Sequence, residues 1–204
     1  MDTETLLTTT RSVRRKLDLD RPVEEGLLED CVRVAQQAPA AGMLLDAQRW
    51  VIVRDPDLRV EIAKIVRAEA IPTMAKYGHL ASEAVMRSAR HLVDNLGRVP
   101  ALAIPCMIGR PPEDPVIQNG YYGSVYPAIW SFQLALRSKG LGSSMCAYHL
   151  PAREAEVAKL LGIPEDVAQI SLLAVAYTTQ RDFSPAARRP AGEILSFDRW
   201  ERSA

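Results

Sequence analysis

Apolar positions along the chain fall into helical and strand-like rhythms that alternate without a fixed period. From Glu24 to Gln37, Leu27, Leu28, Cys31, Val32, Val34 and Ala35 recur at three- and four-residue spacing behind an acidic first turn, which predicts an amphipathic helix stopped at Ala38-Pro39. Trp50 to Arg54 reads as a short strand. Asp55-Pro56 then supplies a capping carboxylate with proline at the first helical position, so a helix through about Tyr77 follows. Leu80 to Asn95 predicts another helix, with Leu80, Ala84, Val85, Ala89, Leu92 and Val93 on one side and Gly97 at its end.

Val99 to Ile108 is short and nearly all apolar, the pattern of a strand covered on both faces, and Gly109 to Gln118, with its prolines, predicts a loop. Ser124 to Lys139 is apolar almost all round, which predicts a helix buried on most of its circumference with Pro127 in its first turn. Pro151 to Leu161 reads as a surface helix closed by Gly162 and Pro164, and Ile170 to Tyr177 as the last buried strand. No internal repeat or long linker interrupts the series, so the expectation is one α+β domain over residues 1–204. A helix so apolar needs many neighbours. Two copies packing such helices together form the expected homodimer, against the alternative of a monomer that wraps the helix in its own chain.

Composition narrows the function classes. A chain of 204 residues with 48% hydrophobic and 25% charged positions has enough apolar surface to fold around a core without metal or disulfide staples. Its 25 basic and 25 acidic residues cancel, so no global field draws a polyanion and nucleic acid is excluded as the main partner. Cys31, Cys106 and Cys146 are far apart and read as buried thiols of a reducing compartment. The acidic start Met1-Asp2-Thr3-Glu4 is unlike a secretory leader and no apolar run reaches membrane-spanning length, so the expected location is cytoplasmic with no membrane partner.

Candidate chemistry concentrates in cations. Arg11, Arg14, Arg15 and Lys16 stand beside Thr8, Thr9, Thr10 and Ser12, a cluster able to hold a phosphate through guanidinium forks and hydroxyls. Arg188 and Arg189, before Pro190, form a second basic group near the other end, and the two clusters are expected to meet around one anion. The same residues also read as plain solvated charge. His79, His91 and His149 lack metal-ligand spacing, and Cys146 with His149 forms a lone C-x-x-H, so no metal site is expected. Gly140-Leu141-Gly142-Ser143-Ser144 reads as a helix C-terminus and turn. No acid–base pair or nucleophile is identifiable. That favours a borrowed cofactor, or no catalysis.

Taken in order, Thr10-Arg11-Ser12-Val13-Arg14 with Pro22-Val23, Ala35 to Pro39, Gln48-Arg49-Trp50 entering a strand, Gly140-Leu141-Gly142-Ser143, Leu161-Gly162-Ile163-Pro164 and Arg188-Arg189-Pro190 resemble the FMN-dependent nitroreductase family, particularly its actinobacterial members. The resemblance runs from about Thr8 to Trp200. It implies a three-layer α+β sandwich with a central, mostly antiparallel sheet flanked by helices, and a homodimer whose long buried helix forms the interface and whose active sites are shared. It further implies FMN as cofactor and NAD(P)H as co-substrate, with ping-pong transfer of electrons to a small-molecule substrate such as a nitroaromatic or a quinone. Carried over by position, Arg11, Ser12, Arg188 and Arg189 become phosphate ligands, and Arg14 the cation near flavin N1 and O2. Ser143, Ser144 and Met145 face the isoalloxazine from a turn; no side chain is assigned as catalytic.

The chain departs from the family pattern at Thr10, where an arginine is usual, at Ala186 or Ala187 in place of a lysine, and between Ala40 and Ala47. There an expected asparagine is missing and Met43, Leu44 and Leu45 bring apolar bulk. Two alternatives follow: a protein that binds or stores a flavin or another ligand without turnover, and an enzyme that uses a deazaflavin.

Overall fold

The computed structural model describes residues 1–200. Helices α1 (Thr3–Thr9), α2 (Glu25–Ala35), α3 (Pro56–Tyr77), α4 (Glu83–Asn95), α5 (Pro115–Ser138) and α6 (Leu150–Leu161) alternate with strands β1 (Gln48–Val53), β2 (Ala101–Ile108), β3 (Leu141–Met145), β4 (Val167–Gln169) and β5 (Leu173–Tyr177). The strands run in the order β1-β2-β5-β3, with β4 joined to the far end of β2, and every named pair is antiparallel. This is the expected α+β sandwich.

The two-residue period of β2 builds both cores. Leu102, Ile104 and Cys106 pack into the layer formed by α3, α4 and α6, while Ala101, Ala103 and Met107 pack into the layer formed by α2 and α5. Every residue of β2 before Ile108 is buried, as its continuous apolarity requires.

Pro105 explains a correction at the last strand. It has no N–H, and its carbonyl accepts from Ile170 N at 2.8 Å, so its missing donor faces the β4–β5 side. β5 pairs β2 only over Ala101–Ala103, and β4 pairs it only over Cys106–Ile108. The predicted strand Ile170–Tyr177 is therefore β5 alone, with β4 set off ahead of it across the gap that Pro105 opens.

Other boundaries move for local reasons. The predicted loop Gly109–Gln118 gives way at Pro115 to α5, because Asp114 accepts from the N–H groups of Val116 and Ile117 and starts the helix nine residues before Ser124. Pro127 consequently lies mid-helix rather than in the first turn. Ser82 caps α4, which begins at Glu83 and ends at Asn95, short of Gly97; Leu80 and Val85 are exposed, so the buried side of α4 is carried by Leu92 and Val93. Helix α1 has only the adjacent pair Leu6-Leu7 and no apolar periodicity to announce it. Asp2 accepts from Thr5 N at its start, and Thr8, Thr9 and Thr10 bond back to the carbonyls of Glu4, Thr5 and Leu6.

Candidate anion and cofactor site

Both ends of the chain close over the β3 edge of the sheet. After α1, Ser12 forms a parallel bridge to Ser143, and Val13 N donates to Ser143 O at 2.9 Å. This approach is so close that a Cβ on Gly142 would stand 2.7 Å from that of Val13, so only glycine fits at that point of β3. Gly140, at φ +80°, makes the turn from α5 into the strand.

The same stretch meets the segment beyond β5. Leu17 bridges Thr178 antiparallel, Thr179 N donates to Lys16 O at 2.9 Å, and the Arg11 Nη2 group reaches Ser184 O at 3.4 Å. The two segments pair at Leu17 and Thr178, and the Arg11 side chain touches the arm again at Ser184. These contacts bring Thr178, Thr179 and Ser184, rather than Arg188 and Arg189, onto the first basic stretch.

The individual candidates fare differently. Arg11 also donates to the carbonyls of Thr10 at 2.7 Å and Thr8 at 2.8 Å, so its fork closes the C-terminal end of α1 while leaving other N–H groups uncommitted. The threonine hydroxyls expected in an anion shell are spent on α1; Ser12, exposed, is the hydroxyl that stays available. Arg14 lies close enough to Cys146 and Tyr148 to act on both. Burial raises the Cys146 thiol to about 12, with Arg14 opposing, and burial also raises Tyr148. None of Arg11, Arg14, Arg15 and Lys16 has a carboxylate within ion-pair distance among the described residues. Arg188 and Arg189 are exposed four and five residues past Ser184, and Arg188 donates to the carbonyl of Ala187 at 3.0 Å.

Ser143, Ser144 and Met145 lie on β3, an extended strand rather than the turn read from their glycine-rich neighbourhood. Alternation then separates them. Ser143 faces α5, where its Oγ accepts from Gln133 at 3.1 Å, while Ser144 points to the opposite layer with a buried, unpaired Oγ. Met145 is exposed.

Three residues not singled out from the sequence belong to this region. Gln133 ties α5 to β3. Arg137, one turn later, lays its guanidinium on the Phe183 ring at 3.7 Å, and its Nε is buried without a partner. Burial holds the Arg137 pKa below the usual guanidinium value. A cation in the last turn of α5 was visible in the sequence; its stacking partner, far along the chain, was not.

The altered segment between Ala40 and Ala47 lies against α5, where Ala41 N donates to Ser124 Oγ at 2.9 Å and Gln48 Nε2 to Ser124 O at 3.0 Å. Met43 is 79% and Leu45 66% exposed, so this apolar bulk is no part of the chain's own core. Nearby, Gln48 Oε1 and Trp50 Nε1 are buried and unpaired.

Four cations without carboxylate partners and an exposed hydroxyl along the β3 edge can hold a phosphate-sized anion attached to a larger group, whereas Gln48 and Trp50 lie on β1 at the opposite edge of the sheet. The profile of the Nitroreductase family matches residues 7–177, which includes this edge from Arg11 to β5. The chain belongs to the Nitroreductase family. Among solved members of the nitroreductase fold it is similar to nitroreductase A from Vibrio parahaemolyticus, at 16% identity and a TM-score of 0.72, covering 100% of this chain and 79% of that one. It is likewise similar to the NADPH:FMN oxidoreductase from Vibrio harveyi complexed with NAD+, at 17% identity and a TM-score of 0.71 over 99% and 79% of the two chains. An iodotyrosine deiodinase bound to FMN and 3-iodo-L-tyrosine shares 21% identity and a TM-score of 0.72 over 97% and 99%. At such identities the likeness is one of fold. No curated protein matches the chain at a significant level.

Proposed function

We propose that this nitroreductase-family chain is a flavin oxidoreductase that binds FMN at the β3 edge and draws electrons from NAD(P)H for a small oxidised acceptor such as a nitroaromatic or a quinone. The observation that carries the reading is the group Arg11, Arg14, Arg15 and Lys16, left without carboxylate partners where the two ends of the chain meet. The residues present fit the group. Arg11, Ser12 and the arginines of the terminal arm would hold the phosphate, and Arg14, beside Tyr148 and Cys146, would offer a fixed positive charge to the ring system. Ser144 Oγ adds a buried polar atom in need of a partner. When bound, FMN would supply two-electron redox chemistry between NAD(P)H and the acceptor.

The chain's own task is then positioning. A cation at Arg14 favours the electron-rich state of whatever ring lies over it, because charge that develops beside a fixed guanidinium in a partly dry site is stabilised without reorganisation. No proton-transfer residue is required of the protein.

Two copies are part of the proposal. On α5, Tyr126 is 46% and Trp130 41% exposed, one turn apart, and Tyr122 continues the stripe with its ring 6.1 Å from that of Tyr126. The helix expected to be buried on most of its circumference keeps one aromatic face open, which a second copy would cover. Met43 and Leu45 favour a second reading, a protein that closes over a ligand and holds it without turnover.

Anaerobic titration of the purified protein with NADPH separates these. A flavin spectrum that bleaches with NADPH is the expected result. A flavin spectrum that persists supports storage; uptake of a deazaflavin in preference to FMN supports the other cofactor, and protein that ignores every flavin overturns the proposal.

A further inference from the structure

The segment after β5 crosses the end of α5 before it reaches the cations. Thr178 and Thr179 are tied to Lys16 O, Phe183 lies under the Arg137 guanidinium at 3.7 Å, and Ser184 O accepts from Arg11. Two arginines from distant parts of the chain, one closing α1 and one in the last turn of α5, therefore grip adjacent residues of the same arm. Arg188 follows four residues later.

The Arg11 contact is long and exposed, and the Arg137 contact is the stronger of the two. The Arg137 Nε is buried, so its side chain is ordered by what it touches rather than by water, and its burial lowers the guanidinium pKa without any carboxylate in compensation. A half-desolvated guanidinium gains most from an aromatic face. Arg137 also sits one turn beyond Gln133, whose amide holds Ser143, the residue that Ser12 bridges. The same face of α5 thus fixes β3 and the arm together, on either side of the cation cluster.

We infer that Arg137 and Phe183 form a clamp that sets the terminal arm in place and so delivers Arg188 to the anionic end of the cofactor, making both positioning residues that govern cofactor affinity without touching it. The inference rests on the proposed cofactor site. It adds a cause for the site's assembly: beyond its ties at Thr178 and Thr179 the chain to Pro190 has no helix or strand to hold it, and the clamp removes conformational freedom that binding would otherwise have to remove.

The clamp is tested on the full chain with Arg137→Met, Phe183→Ala and Phe183→Trp, measuring trypsin cleavage at Arg181-Asp182 and Arg188-Arg189 alongside FMN and riboflavin affinity. Arg137→Met and Phe183→Ala are expected to accelerate cleavage of the arm and to weaken FMN about three- to ten-fold, the range of one cation–π contact, while riboflavin, lacking the phosphate, is unchanged. Phe183→Trp keeps a ring under the guanidinium and restores both. Adding Arg188→Ala to Phe183→Ala should cost little more than either alone, since the two act through one delivery.

Unchanged arm cleavage in both variants overturns the clamp, and so does an equal loss of riboflavin, which would mean general damage to the fold. Should the chain take up no flavin, the cofactor proposal fails by itself. Cleavage then still decides whether the arm is held by Arg137.

Discussion

His149 is fully buried, and its Nε2 lies 3.1 Å from Gln169 Oε1. Gln169 Nε2 donates to Glu154 O, which turns the amide oxygen toward the imidazole and makes Nε2 the proton-bearing nitrogen; Nδ1 is left buried and unpaired. The chain of contacts runs on, as Gln169 N donates to Glu154 Oε1 and Arg110 clasps both carboxylate oxygens at 2.8 and 2.9 Å. Burial pushes the His149 pKa below 6.5, against the smaller pull of Gln169. Because the folded value is the lower one, the unfolded chain takes up the proton first as pH falls. Stability is thus complete above about pH 6.5 and is lost as pH falls through the folded value. His149→Gln should flatten the pH dependence of urea unfolding between about pH 7.5 and 5.5. An identical slope in wild type and variant would remove His149 as its source. Residues of this kind were only partly legible: the sequence excluded His149 from a metal site, but nothing in it announced Gln169 or Arg110 as neighbours, since those contacts cross three elements.

Among the elements, legibility followed the strength of the local signal. Asp55-Pro56 was read as a helix start, and Asp55 does accept from Leu58 N. Asp114-Pro115 carries the same signal and opens the longest helix, yet the prolines around it argued for a loop. Removing that cap with Asp114→Ala leaves two N–H groups unsatisfied and should cost about 1 kcal/mol in chemical denaturation. No loss of stability would show that the first turn of α5 contributes nothing to the fold. β3 was hidden for another reason. Leu141-Gly142-Ser143-Ser144-Met145 has neither alternation nor β-branched residues, and it is a strand because β5 pairs it on one side while Val13 settles onto Gly142. Tertiary packing overrode a weak local preference there, as Pro105 overrode a strong one where it divided Ile170–Tyr177.

For the molecule as a whole, the ordered series of short strings was informative where each string alone was weak, and the family it pointed to spans residues 7–177. The stacking of Arg137 on Phe183 was not legible, because a pair separated by 46 positions leaves no periodic trace. The open aromatic face of α5 and the exposed Ile194, Leu195, Phe197 and Trp200 of the arm together present more apolar surface than scattered side chains would. Sedimentation at micromolar concentration should therefore give about twice the chain mass, and Trp130→Glu should shift it toward one. A wild-type chain that sediments as a compact monomer would leave that face without an explanation.

The Leu17–Thr178 bridge joins stretches of chain that are translated far apart in time. Among the described residues, Lys16 O takes its donors from Thr178 and Thr179, which are translated after every strand of the sheet. The stretch that carries Arg14, Arg15 and Lys16 therefore completes its hydrogen bonding only after β5 has been made, so any ligand held there is loaded late in folding.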